Sequence, residues 1–247
     1  LNIILKKSKK TGFNGSVIGT LGYLPQTNLN TNLSWRKGNL TWFLNGGGGY
    51  RESKNTNRNN AEFFNAKLDN DRIFTGQESI TNSNNSNYNA SSGIVYDISD
   101  KTSINASATV RTYESENLGN ITYDYRFLNN PNSFVTRMNT GSNDNLAFQG
   151  DFGIDHKFDD KGQNLSLSVS LQSNRSYNDT NVDETENGLF ELQNSINQTT
   201  KNKTLVGKAD YELPIGENSK IEAGYRLDIN QNVYDNDVLE RTIANPE

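Results

Sequence analysis

Apolar and polar residues alternate along most of this chain, and the alternation breaks at short turns. Leu146, Phe148, Phe152, Ile154, His156 and Phe158 share one parity, while Asn145, Gln149, Asp151, Asp155 and Lys157 share the other. Leu165, Leu167, Val169 and Leu171 stand in the same way against Ser166, Ser168, Ser170 and Gln172. A period of two places the two sets on opposite faces of a β-strand. The same test predicts nine long strands. The first carries Phe13, Val17, Leu21 and Tyr23 and ends at Pro25-Gln26; the second carries Leu29, Leu33 and Trp35. A hairpin turn at Lys37-Gly38-Asn39 leads into Leu40, Trp42, Leu44 and Tyr50. The fourth strand, over 86–98, turns at Ser99-Asp100-Lys101 into a fifth with Ile104, Ala106, Ala108 and Val110. The sixth and seventh are the two segments above, joined by Asp159-Asp160-Lys161-Gly162. Leu205 to Leu213 forms the eighth, and Ile221 to Ile229, beyond a turn near Gly216, the ninth.

The connections are unequal. Those near Gly38, Asp100, Asp160 and Gly216 are short, whereas polar stretches around Asn55, Asn130 and Asp183 are long and predict loops. Strands of about 11–15 residues, greasy on one face and polar on the other, fit the wall of a transmembrane barrel with lipid outside and water inside. Aromatic residues fall near strand ends: Trp35, Trp42, Tyr96, Phe158 and Tyr211 beside short turns, Tyr23, Tyr50 and Tyr177 toward the other end. They predict two interfacial girdles. The fold class expected is therefore all-β, an antiparallel up-and-down transmembrane β-barrel.

Composition agrees once the barrel is in place. The 247 residues are only 32% hydrophobic, and mean hydropathy is −0.81, values that by themselves suggest a soluble or disordered chain. Disordered chains lack aromatics, yet 11 Tyr, 11 Phe and 2 Trp are present. Only alternate strand residues need be apolar in a barrel. A net charge of −5 argues against a nucleic-acid partner. No cysteine is present, which excludes disulfides and thiolate zinc sites. The chain opens at Leu1 in an apolar stretch without an initiator Met and is expected to be truncated.

Leu1-Asn2-Ile3-Ile4-Leu5-Lys6-Lys7, followed by Gly12-Phe13-Asn14-Gly15-Ser16-Val17, resembles the junction between plug and barrel in TonB-dependent outer-membrane receptors of the Bacteroidota-type outer-membrane β-barrel family. Tyr96-Asp97-Ile98-Ser99-Asp100-Lys101-Thr102, and the segment from Tyr211 through Pro214 to Ser219, resemble that family's periplasmic turns. The resemblance implies residues 1–10 as the end of a plug domain and linker, and 11–247 as the N-terminal part of the barrel. It implies nutrient uptake across the outer membrane of a Gram-negative bacterium, of a glycan, peptide or metal chelate, with contacts to outer-membrane lipid. A TonB-type energy-coupling protein would act through a segment before Leu1, and a surface lipoprotein is a further expected partner. Plugged transporters use about 22 strands, so nine are expected to be the first part of a larger wall. A barrel with a structural, adhesion or secretion role is the alternative.

Candidate chemistry is sparse, and no enzyme, cofactor or metal is expected. His156 is the single histidine and sits on the apolar parity beside Phe158, where interfacial packing is the expected role. Gly46-Gly47-Gly48-Gly49 lacks the Gly-Lys-Ser/Thr of a phosphate loop and reads as a close approach within a strand. Asp179, Asn181 and Asp183 have calcium-loop spacing, but Glu184 stands where glycine is needed and Phe190 where glutamate is needed. They read as a solvated acidic loop, as do Asp235 and Asp237. The water-facing parity carries Arg36, Arg51, Arg111, Lys157, Lys208, Arg226, Asp151, Asp155, Asp210, Glu222 and Asp228. These are expected to pair with one another or with a plug, and no substrate-binding residue is assigned.

Overall fold

Each period-two segment becomes a strand, and each strand pairs with its sequence neighbours. A computed structural model describes residues 11–23, 25–64, 71–216 and 219–242. In it nine antiparallel strands form one sheet in the order β1 to β9: β1 Gly12–Gly22, β2 Gln26–Lys37, β3 Leu40–Glu62, β4 Arg72–Asp97, β5 Thr102–Phe127, β6 Ser133–Lys157, β7 Asn164–Glu186, β8 Leu189–Ile215 and β9 Ser219–Thr242. The leading apolar segment at 1–5 lies outside the described residues.

The expected strand number and short turns match the structure; the expected strand lengths and long loops do not. From β3 to β9 the strands run 23 to 27 residues. Asn55 lies inside β3 and Asp183 inside β7. Two turns at that end are compact: 128–132 joins β5 to β6, and Asn187-Gly188 alone joins β7 to β8. The polar stretches pair because a ladder is held by backbone hydrogen bonds, which need no apolar face while water covers both sides. A strand of 26 residues reaches roughly 85 Å. Crossing the hydrocarbon at a tilt takes about 9–11 residues, so more than half of each long strand stands clear of it.

Register carries the apolar face across the whole sheet. Phe13, Trp35, Trp42, Ile94, Ala106, Phe152, Val169, Gly207 and Leu227 form one row, one residue per strand. The row starts at the first apolar position of β1 and ends near the last of the run on β9. The apolar band therefore slides along the strands from β1 to β9, the stagger that tilted barrel strands require. The adjacent row on the other face is Asn14, Ser34, Phe43, Gly93, Ser107, Asp151, Ser170, Val206 and Asp228, small or polar except Phe43 and Val206.

Among the described residues no apolar side chain is buried. A single-layer sheet with an uncovered apolar face gains nothing from a core of its own. Lipid supplies the missing apolar contact. The Trp42 indole and the Ser92 hydroxyl within the band are satisfied locally, as a low-dielectric surrounding demands. Trp42 Nε1 donates to Ser92 Oγ at 3.0 Å, and Ser92 Oγ donates to the Phe43 carbonyl at 3.2 Å.

Two of the short turns are capped by their own side chains. Lys101 and Thr102 backbone N–H groups donate to Ser99 Oγ. Those of Lys161 and Gln163 each donate to Asp159 Oδ1 at 3.0 Å. The bonds from Gln163 foremost, then Lys161 and Gly162, together with the Lys161 charge, hold the Asp159 carboxyl below its usual range. Lys157 N–H donates to the Lys101 carbonyl, and Lys101 Nζ to the Phe158 carbonyl, tying neighbouring turns together.

Candidate functional site

The polar face is the one on which a barrel can act on a solute, because the other face is covered by lipid. Its most regular feature is a row of uncharged hydrogen-bonding side chains. Ser16, Asn32, Asn45, Ser91, Thr109, Gln149, Gln172, Thr204 and Asn230 lie side by side, one from each strand. Thr109 Oγ1 donates to Ser91 Oγ at 2.9 Å and Thr204 Oγ1 to Asn230 Oδ1 at 2.8 Å. The next row on this face adds Asn30, Asn89, Arg111, Asn174, Asn202 and Asn232, with Gly47 and Ala147 between them. A cavity of about 340 Å³ opens between the two rows, against Arg111, Gln149, Gln172, Asn174, Asn202 and Asn232.

One acceptor of this belt has no donor among the described residues. Asn202 Oδ1 is screened from solvent and accepts no hydrogen bond among the described residues. Asn139 Oδ1 and Asn194 Oδ1 are in the same condition and flank Val182 in a row nearer the long-strand end. All three amides are on the polar face. A shielded acceptor without a donor costs about 1–3 kcal/mol, so these are positions where a donor-rich solute gains.

The charged residues predicted for this face are there, and several pair as expected. Arg226 grips Asp228 at 2.6 Å and 2.8 Å, Lys220 pairs with Glu222, and Arg36 reaches Asp97 at 3.5 Å. Asp155 accepts from Ser166 Oγ at 2.6 Å, and Asp151 from Gln149 and Ser107. Arg51, Arg111, Lys157 and Lys208 make no ion pair among the described residues, and Lys208 lies directly across from Arg226.

The other candidates keep to the strands. His156 stacks edge-on to Phe158 at 4.6 Å, Phe158 lies against Tyr211 at 6.2 Å, and His156 Nδ1 is 2.8 Å from Thr102 Oγ1. This is an aromatic cluster at the short-turn edge of the band. Asp179, Asn181 and Asp183 do not form a loop. They share one face of extended β7, and Gln193 Nε2 caps Asp183 at 2.8 Å. Asn181 Nδ2 donates to Asp179 Oδ1 at 3.3 Å, so these side chains engage one another along a strand instead of turning around one point as a calcium loop does. Asp235 and Asp237 likewise lie within β9 rather than in a loop. Gly48 is packed beneath Tyr88 in an unbroken β3–β4 ladder.

The amide belt had a signature that the charges obscured. On the polar parity of β2, β6, β7 and β9, amides recur at Asn28, Asn30 and Asn32, at Asn145 and Gln149, at Gln172 and Asn174, and at Asn230 and Asn232. Only the register shows that these runs share three neighbouring rows, the third holding Asn28 and Asn145.

A sequence profile of the outer membrane protein beta-barrel family matches residues 156–246, which take in β7, β8 and β9. No curated protein and no solved structure matches the chain. The matched segment carries the same one-sided apolar band as the strands before it. The chain is part of a β-barrel wall in the outer membrane of a Gram-negative bacterium.

Proposed function

We propose that this wall belongs to a TonB-dependent receptor that takes up a bulky nutrient, and that the nutrient is an oligosaccharide. The observation that carries this reading is the double row of amides and hydroxyls on the polar face, with Asn202 left without a donor. Sugar hydroxyls donate and accept in all directions, and uncharged amides match them without the cost of burying a charge. Tyr113, on the same face near the top of the belt and hydrogen-bonded to Asn85, adds a ring on which a sugar can stack. A peptide would use the same groups; a ferric chelate would be better served by a face with one dominant charge. Energy coupling and a movable plug come from the resemblance at the start of the chain.

The test is uptake by cells lacking the intact protein, supplied with radiolabelled oligosaccharides, oligopeptides or ferric chelates. The expected outcome is an oligosaccharide uptake defect, restored by the parent gene. Restoration should fail when the inner-membrane proton gradient is dissipated. Asn202→Ala with Gln149→Ala should raise the half-saturating concentration with the barrel still folded. Normal uptake of every probe would overturn the transport reading in favour of a structural, adhesion or secretion role.

A further inference from the structure

We propose that the lipid-facing wall of β7, β8 and β9 is a binding site for a phosphorylated, acylated glycolipid of the outer leaflet. The proposal rests on the reading that the long-strand end faces outward. Two features of this wall are stacked along β8. The lower is a groove of about 390 Å³ floored by Gly207 and Ala209, with Val169 and Leu167 on one side and Leu227 and Tyr225 on the other. The small residues of β8 sit between larger ones on both neighbours, so the groove runs along the strand at the depth of the hydrocarbon. Nearly all its lining is apolar, and it suits an acyl chain.

Above it the face changes character within two alternate residues. Leu205, paired with Leu171, closes the apolar run on β8. Lys203 and Lys201 follow on the same face, and Lys201 lies directly across from Arg175 of β7. All three cations are exposed, and none has an ion pair among the described residues. Lys203 stands roughly 13 Å along the strand from Gly207 at about 3.3 Å per residue, within reach of a lipid whose chain occupies the groove. The acids of this surface, Glu114, Asp144 and Asp235, share the row one step farther from the band. Positive charge thus meets the level at which lipid phosphates end, and negative charge begins outside it. Arginine and lysine at that level form charge-assisted bonds to phosphate oxygens. The site commits to one amphiphile, with phosphate on the cations and a chain in the groove.

The experiment uses the intact protein purified in mild detergent and examined by native mass spectrometry with lipid A, dephosphorylated lipid A or inorganic phosphate. Lipid A should bind at least about tenfold more tightly than its dephosphorylated form. Arg175→Gln with Lys201→Gln and Lys203→Gln should abolish that preference, and Lys203→Gln alone, at an exposed position, should reduce it should the triple variant fail to fold. Gly207→Phe, which fills the groove, should weaken both lipids equally. Lys54→Gln, far up β3, should change nothing. Equal binding of the two lipids, or a triple variant that behaves as the parent, would overturn the site. Inorganic phosphate binding as tightly as lipid A would overturn the lipid assignment. Labelling of Asn187→Cys by a membrane-impermeant maleimide on intact cells reports orientation separately. A labelled cysteine with no phosphate preference sinks the lipid site alone. An unlabelled one sinks the orientation and the site with it.

Discussion

Tyr88 lies over Gly48 where β3 and β4 pair, so closely that a Cβ on Gly48 would stand 2.4 Å from Cδ1 of the ring. The Asn87 carbonyl, 3.1 Å from the same point, closes the other escape. Gly48→Ala should therefore destabilise the barrel by about 1–3 kcal/mol through overpacking, although alanine is the better strand former. Equilibrium unfolding of the intact protein in detergent measures it, and a neutral result would mean that the ring is free to move.

The two faces of β7 should differ sharply in their tolerance of charge. Leu167 is paired with Ile154 and Ala209 within the apolar band, whereas Ser170 is paired on the other face with Asp151. Leu167→Arg should cost about 2–4 kcal/mol, the value for arginine at a bilayer midplane. Ser170→Arg, beside a carboxylate, should cost less than about 1 kcal/mol. Equal costs would contradict the assignment of faces.

Asn187 holds φ of 50° and Gly188 φ of 82°, the left-handed pair that a two-residue hairpin needs. Asn187 Oδ1 also accepts from the backbone N–H of Phe134 at 2.9 Å. Asn187→Val loses that bond and forces a β-branched residue into a disfavoured region, at a cost of about 1–2 kcal/mol. Limited proteolysis of folded protein should then cut at this turn first, where the parent resists.

Asp159 should show a measurable acid signature. Its folded pKa lies below its unfolded value because backbone N–H groups, Gln163 foremost, bond the charged form. Its contribution is fully present above the unfolded pKa and is lost as pH falls through the folded one. A carboxyl ¹³C titration should place the Asp159 midpoint below about 3.9. Asp159→Ala should remove that part of the acid dependence. A midpoint at or above the unfolded value would show that the cap does not hold in solution.

What was legible in the sequence depended on contrast. Between Phe13 and Leu44, and again from Leu146 to Leu171, one parity is greasy and the other polar, so strand, face and turn could all be assigned. Above the band both parities are polar, as in the Asn55 region of β3 and the Ser79 to Asn87 region of β4, and period two has nothing to mark. The upper end of β8 was hidden twice over. A bulge opposite Glu184 and Thr185 leaves Glu191 unpaired and puts Phe190 and Leu192, two positions apart, on opposite faces. Asn187-Gly188, a strong hairpin signal, was submerged in a polar stretch read as loop. The amide belt was illegible for another reason, because side-by-side placement across nine strands is a property of register and not of any one segment.

The ladders that continue above the membrane change what a ligand at this rim meets. Ordering a residue of loose loop costs about 1–2 kcal/mol, and a ligand caught by mobile loops bears that cost out of its own binding energy. Here Asn139 and Asn194 stand on strands whose pairing is complete before any ligand comes. A ligand that binds at this rim meets side chains whose backbone is already fixed, so little of its binding energy goes into ordering the protein.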